Sequence, residues 1–228
     1  MLGEAIGDLL PSAVGVALSP VPIVAVILML GTPRARSNGS AFAVGWVAGL
    51  VAVGVIVLLV AGDADSGGDT STAVDVVVLL FGLLLLAVAV KQWQARPRPG
   101  QTPEMPTWMA AIDQFTAGRS LGLGVLLSGV NPKNLALTLA AAASLAQAGL
   151  SAGGDAVGLA VFVVIASLTV VGPVVAYLVM GERAERALSE IKQFMSDHNA
   201  VIMAVVCLVL AAKLIGSGIA GLIAERSA

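Results

Sequence analysis

Six long apolar runs, parted by short polar stretches, set the pattern of this chain. They cover roughly 5–31, 41–62, 74–90, 121–148, 156–180 and 200–224. Each is long enough to cross a bilayer, which takes about 20 mostly apolar residues, with a range of roughly 17–25. Helix is the form to expect, because backbone polar groups in hydrocarbon must be satisfied within their own segment. The first and fourth runs exceed a simple span, so each should carry a break or a tilt. The pattern predicts an all-α membrane protein, a single transmembrane domain over 1–228 with six transmembrane helices.

Polar residues inside the apolar runs locate the breaks. The fourth run holds SGVNPKN at 128–134. Proline lacks an N–H and clashes with the preceding turn, and it pushes the residue before it out of the helical region. Proline also suits the first position of a new helix, and asparagine is among the better caps. Asn131 and Pro132 therefore predict a half-helix starting in mid-run, with Lys133 and Asn134 in its first turn and Ser128 just before. Ser19, Pro20 and Pro22 predict a similar start in the first run. Helices 1 and 4 are thus expected to be broken at Pro. Each break lies roughly 10–15 residues from its end of the run, about 15–21 Å at 1.5 Å per residue, near mid-bilayer.

The two breaks belong to a wider self-similarity. VALSPVPIVAVILML from Val16 resembles VLLSGVNPKNLALTLA from Val125, matching Ser19 with Ser128 and, across one inserted residue, Pro22 with Pro132. LLLLAVAVK ending at Lys91 resembles CLVLAAK ending at Lys213. Three spans followed by three related spans must run in opposite senses through the membrane. This predicts a 3+3 inverted repeat, with repeat A at about 1–95 and repeat B at about 120–228, the pattern of many secondary transporters. The Gly45/Gly49 pair, continued by Gly54, and Gly216, Gly218 and Gly221 read as close helix packing within the bundle. A homodimer through either set stays open.

Charge sets the orientation. Arg34 and Arg36, then Lys91, Arg96, Arg98 and Arg119, then Arg183, Arg186 and Lys192 put nine of the twelve basic residues in the first, third and fifth loops. The second loop has four acids and no base. By the positive-inside rule the odd loops are cytoplasmic and both termini face out. Between the repeats, about 91–120, prolines at 97, 99, 103 and 106 predict an extended cytoplasmic linker. After Thr107, the apolar positions Trp108, Ile112 and Phe115 share one helical face. Ala184, Leu188, Ile191 and Met195 repeat the theme in the fifth loop. Both read as short interfacial helices.

Composition agrees and narrows the chemistry. The chain is 58% hydrophobic and 11% charged, against about 25% charged in soluble domains, with a mean hydropathy of +0.98. No basic cluster is dense enough for nucleic acid. One cysteine, Cys207, and one histidine, His198, leave no disulfide, thiol pair or His/Cys metal set, and no cofactor is expected. Glu4 and Asp8 with no base before Arg34 lack the basic start of a cleaved signal peptide. No Ser19 or Ser128 neighbour is a His or Asp, so no enzyme is indicated.

Lys133 stands beside one break and Lys213 near the middle of the sixth run. A lysine at the centre of a span costs about 2.5–3.5 kcal/mol on insertion scales. No Asp or Glu occupies a span centre, where a cation exporter would want carboxylates. Two lysines and two helix starts without counter-ions suit a substrate with phosphate, sulfate or carboxylate. The candidate substrate-binding set is therefore Ser19, Pro20, Pro22, Ser128, Asn131, Pro132, Lys133, Asn134 and Lys213. The competing reading is that both lysines bond to carbonyls freed by the breaks and only hold the fold.

SPVPIVAVILML at Ser19, GLLLLAVAVKQWQARPRPG from Gly82, EMPTWMAAIDQF at Glu104 and LGLGVLLSGVNPKNLAL at Leu121 together resemble the GAP family, actinobacterial proteins named for glycopeptidolipid and sulfolipid addressing. The likeness covers nearly the whole chain, with SGVNPKN its most specific part, and that family resembles a branch of the lysine-exporter (LysE) superfamily. It implies six spans in a three-plus-three arrangement and export, or help in export, of envelope glycolipids across the plasma membrane. A related branch carries electrons through cysteines near the breaks; here those positions hold none. The leading expectation is a secondary transporter or flippase-like exporter of anionic or glycosylated lipids, with membrane lipids as partners. The others are an exporter of small organic anions or amino acids, and a non-transporting scaffold assisting a larger lipid-export machinery. A lipid path predicts a lateral opening to the bilayer, a solute path a closed polar cavity, and a scaffold central lysines fully bonded to protein.

Overall fold

The computed structural model describes residues 2–63, 70–96, 111–112 and 114–226, and its regular elements are all helical. In order they are α1 (Leu2–Ala17), α2 (Pro20–Leu30), α3 (Ala35–Asp63), α4 (Thr70–Gln94), α5 (Ala117–Val125), a π-helical turn (Leu126–Val130), α6 (Pro132–Gln147), α7 (Ala152–Met180), a 3-10 turn (Gly181–Ala184) and α8 (Glu185–Arg226). Among the described residues, three helices are long and apolar enough to cross a membrane: Ala35–Val60, Ala152–Met180 and Arg186–Ile223. The pair α1 and α2, bent by 52° at its break, makes a fourth. The third and fourth apolar runs also form helices, but their apolar stretches, Val78–Gln94 and Ala117–Val130, are shorter.

Both expected breaks are present. Ser19 is extended, with φ −93° and ψ 102°, and Pro20 opens α2. Asn131, with φ −58° and ψ 121°, precedes Pro132 at the start of α6. Pro11 within α1 and Pro173 within α7 interrupt neither helix. A lone proline removes one donor, whereas Pro20 and Pro22 together deprive both Val16 and Leu18 of their i+4 partners. At the second break the helix widens first: the Asn131 N–H reaches back to the Leu126 carbonyl at 3.0 Å, a π turn. Such turns cluster at functional sites.

α1 packs between α6 and α7, and α3 lies against α5, the π turn, α6 and α7. α2 touches α3, α7 and α8, and α4 runs along α8. Phe42, Trp46, Phe162, Leu9 and Met29 fill the centre and are fully buried. Glycine makes the α3–α5 approach close: a Cβ at Gly45 would strike the Leu121 backbone, and one at Gly49 the Ser128 hydroxyl. The small-residue pair thus packs inside the bundle, as expected. Many large side chains face outward, among them Leu59, Val164, Leu168 and Val179, an arrangement that hydrocarbon tolerates and water does not.

Two expectations about the loops need correction. α8 is a single helix from Glu185 to Arg226, not an interfacial helix followed by a separate span. No proline or glycine lies between 185 and 215 to stop it. Gln193 donates to the Asp197 carboxylate at 2.9 Å, and the Phe194 and His198 rings stack, carrying it through its most polar turn. Ala184 and Leu188 are buried in the core rather than spread on an interface. Likewise Ile112 is buried, and the Phe115 carbonyl accepts from Asn38 Nδ2 at 3.0 Å, so this end of the linker docks onto α3. Residues 97–110, which carry the four linker prolines and Trp108, lie outside the described residues.

Candidate functional site

The two breaks meet. Ser19, just ahead of α2, donates its hydroxyl hydrogen to Asn134 Oδ1 in the first turn of α6, at 2.8 Å. Lys133 Nζ donates to that same Ser19 Oγ at 2.6 Å and to the Gly15 carbonyl at 2.7 Å. Asn134 Nδ2 donates to the Leu127 carbonyl at 2.8 Å. One chain of hydrogen bonds therefore runs from the Lys133 ammonium through Ser19 and Asn134 to the π turn. Ser19 is 3% exposed, Lys133 4% and Asn134 0%.

Each link answers a need created by the breaks. α1 ends at Ala17, so its last carbonyls lack intrahelical donors. Lys133 takes Gly15, and Thr169 Oγ1 of α7 takes Ala17 at 2.6 Å. At α6, the Asn131 side chain accepts from the Lys133 N–H at 3.1 Å, and the Asn131 carbonyl accepts from the Leu135 N–H at 2.8 Å. Asn131 thus caps the start of α6, as the sequence predicted. Pro132 lies exposed, while the Lys133 side chain points inward.

An ammonium carries three donors, and the Lys133 partners among the described residues are two neutral oxygens. The buried Cys207 thiol lies within its electrostatic reach. No set of three His, Cys, Asp or Glu able to hold a metal occurs among the described residues. A buried cation fixed between two helix ends, with two neutral oxygens as its partners among the described residues, can take an anionic group if the ends part.

The predicted residues divide accordingly. Ser19, Lys133 and Asn134 come together, with Asn131, Pro20 and Pro132 shaping the helix starts beside them. Pro22 is buried in the first turn of α2. Ser128 is buried, but donates to the Val125 carbonyl at 3.3 Å and stays outside the cluster. By position before the proline, the counterpart of Ser19 is Asn131, not Ser128. Lys213 stands apart: it is exposed and donates to the Asp8 carbonyl at 2.9 Å, seven residues or about 10 Å along α1 from Gly15. Gly15 and Thr169 were missed. A threonine inside an apolar run was the available signal for one; a backbone acceptor leaves none.

Two apolar grooves, of about 690 and 570 Å³, lie along the seam between α3 and α7, and Lys133 lines neither. A family model described as "Sap, sulfolipid-1-addressing protein" matches residues 9–220. No curated protein and no solved structure matches the chain.

Proposed function

The chain belongs to the sulfolipid-1-addressing protein family, and from that premise we propose that it exports an anionic or glycosylated envelope lipid across the plasma membrane, as a small secondary transporter or flippase-like carrier. The observation that carries the reading is the Lys133 ammonium, buried where two helix starts meet and held by two neutral oxygens. A span-centre lysine costs about 2.5–3.5 kcal/mol to insert, and an anionic headgroup entering between the breaks would offset that cost better than a hydroxyl and a carbonyl do. The substrate oxygen would replace Ser19 Oγ and the Gly15 carbonyl on Nζ. The conformation described is then the closed one.

Movement at this place is reasonable because, among the described residues, every hydrogen bond joining the two breaks involves a side chain. Six crossings, counting α4 and the interrupted α5–α6 with the other four, and an inverted repeat belong to the same proposal. The packing supports it in part. Exchanging α1, α2, α3 and α4 for α5, α6, α7 and α8 turns the α1–α7 contact into α5–α3, and leaves α4–α8 and α3–α7 as themselves, while the α1–α6 contact has no comparable α5–α2 counterpart. Kinship with the lysine-exporter superfamily, cytoplasmic odd loops and outward termini complete the proposal, the latter two resting on the distribution of basic residues.

A second reading has its own support: Lys133 spends two donors on protein oxygens, as a scaffold that only assists a larger lipid exporter would require. Export per inserted molecule separates them. With labelled anionic glycolipid made inside cells, Lys133→Ala should abolish its appearance outside at equal membrane-inserted protein. Lys133→Arg should restore it only in part, because a planar fork does not replace a compact ammonium in a tight site. Undiminished export per molecule in the alanine variant overturns the carrier reading in favour of the scaffold.

A further inference from the structure

The seam between α3 and α7 is open along most of its length. One groove is walled by Val47, Val163, Leu168, Val171 and Val175, the other by Val51, Val55 and Leu159, and they share Val163 and Val164. On α7 the lining runs from Ala152 to Met180, about 42 Å at 1.5 Å per residue, which exceeds the roughly 30 Å hydrocarbon thickness. Both walls are helices long and apolar enough to span, so hydrocarbon is what the groove faces. Each volume lies within the range of about 300–1,000 Å³ usual for ligand pockets.

One further detail shows that the described residues do not close this seam. Gly172 lines the groove, and a Cβ added there would meet nothing within 4 Å. A helix-interior glycine weakens the helix, and this one has no close packing to explain it. Ser167 also lines the groove; it is 4% exposed, and its hydroxyl has no hydrogen-bond partner among the described residues. The sides of the lining are otherwise apolar, with Asp155 at the end beside the first turn of α7.

We infer that the α3–α7 groove is a binding track for an acyl chain of a membrane lipid, continuous through both leaflets. The inference deepens the lipid-carrier proposal and rests on it for the lipid's relevance to export: the tail keeps to the apolar seam while the charged head uses the Lys133 site. α7 serves both, presenting Ser167 to the groove and Thr169 to the broken end of α1. A head could not follow the tail's route, because Lys133 does not line it and its walls offer little to a charge.

The test uses the full chain in vesicles containing a phosphatidylglycerol with a diazirine midway along one acyl chain, followed by mapping of the photo-adducts. Adducts should concentrate several-fold on Leu168 and Val175 over Leu208 and Val209, which are similarly exposed on α8. Gly172→Leu sets its Cβ in open space and extends a side chain into the groove, so it should remove the Leu168 and Val175 adducts and leave those on α8 unchanged. Should that variant fail to insert, Ala176→Leu makes the same comparison, and the wild-type map stands by itself. Adduct yields no higher on α7 than on α8 mean an ordinary lipid annulus and overturn the track. Cross-links from groove residues to a second copy of the chain overturn it in favour of a dimer interface. Groove labelling that persists while Lys133→Ala exports normally would refute the carrier proposal and not the track; loss of the labelling preference alone would do the reverse.

Discussion

Replacing Lys133 with methionine shortens the side chain by one atom at nearly the same volume and removes its charge, so the cost can be worked out link by link. The Gly15 carbonyl loses its donor at a buried site, a penalty of about 1–3 kcal/mol. Ser19 keeps Asn134 as its acceptor but no longer receives a charged donor, a loss of about 1.5–3 kcal/mol. Against these, the chain no longer holds an ammonium at the centre of a span, which returns about 2.5–3.5 kcal/mol. The net runs from about 1 kcal/mol stabilising to about 3.5 kcal/mol destabilising, small for a residue 4% exposed. Unfolding by titration of denaturing detergent into mixed micelles measures it, alongside the amount inserted in the membrane. Lys133→Met should therefore insert at near-normal abundance, which is what makes its transport phenotype readable. A destabilisation well above about 3.5 kcal/mol would refute this account, because it would mean that the lysine is a net structural asset and that its neutral partners fully compensate its charge. A stabilised variant that still exports would refute the functional role instead.

The breaks were legible because proline acts through covalent structure: a missing N–H and a fixed φ operate in any surroundings. That the breaks face each other is what the inverted repeat leads one to expect, but the bond that joins them was not legible, since nothing local to Ser19 tells it that Asn134 lies 2.8 Å away. The internal sequence likeness pointed to both places, and two pairings of their residues were open. Aligning Ser19 with Ser128 follows letters, whereas the backbone aligns Ser19 with Asn131, each the extended residue before a helix-opening proline. Lys133 and Lys213 looked alike in the sequence, both lysines inside apolar runs. Burial separates them, and burial depends on which face of α8 turns inward, which a helix apolar nearly all round does not declare. The same ambiguity hid the α3–α7 seam: every valine on those helices reads as lipid-facing or core, and only the packing of α3 onto α5 through Gly45 and Gly49 decides which remain uncovered. The continuous α8 was misread for a different reason, because its polar turn at Asp197–Asn199 suggested a boundary, although polarity without proline or glycine does not end a helix.

Further outcomes follow from the same geometry. Gly45→Leu forces a side chain onto the Leu121 backbone and should cost upward of about 1–3 kcal/mol or block folding, whereas Gly172→Ala, with open space around it, should stabilise by up to about 1 kcal/mol; equal effects in detergent unfolding would refute the packing. For orientation, Ala152→Cys should react with an impermeant thiol reagent on intact cells and Gln94→Cys should not, with the buried Cys207 silent in both; the reverse pattern would invert the membrane topology. The last outcome concerns the two residues that stand before the prolines. Asn131 is half-buried and serves as a cap to the Lys133 N–H, so serine should replace it at little cost and alanine at about 1 kcal/mol. Ser19 makes no cap bond of its own; its hydroxyl is spent on Lys133 and Asn134 in a space 3% exposed. Ser19→Asn should therefore overpack the junction and cost about 1–3 kcal/mol, even though asparagine is the residue found at the matching position of the other break. If Ser19→Asn and Asn131→Ser prove equally mild, the two breaks are interchangeable caps, and the Lys133–Ser19–Asn134 chain is not what joins them.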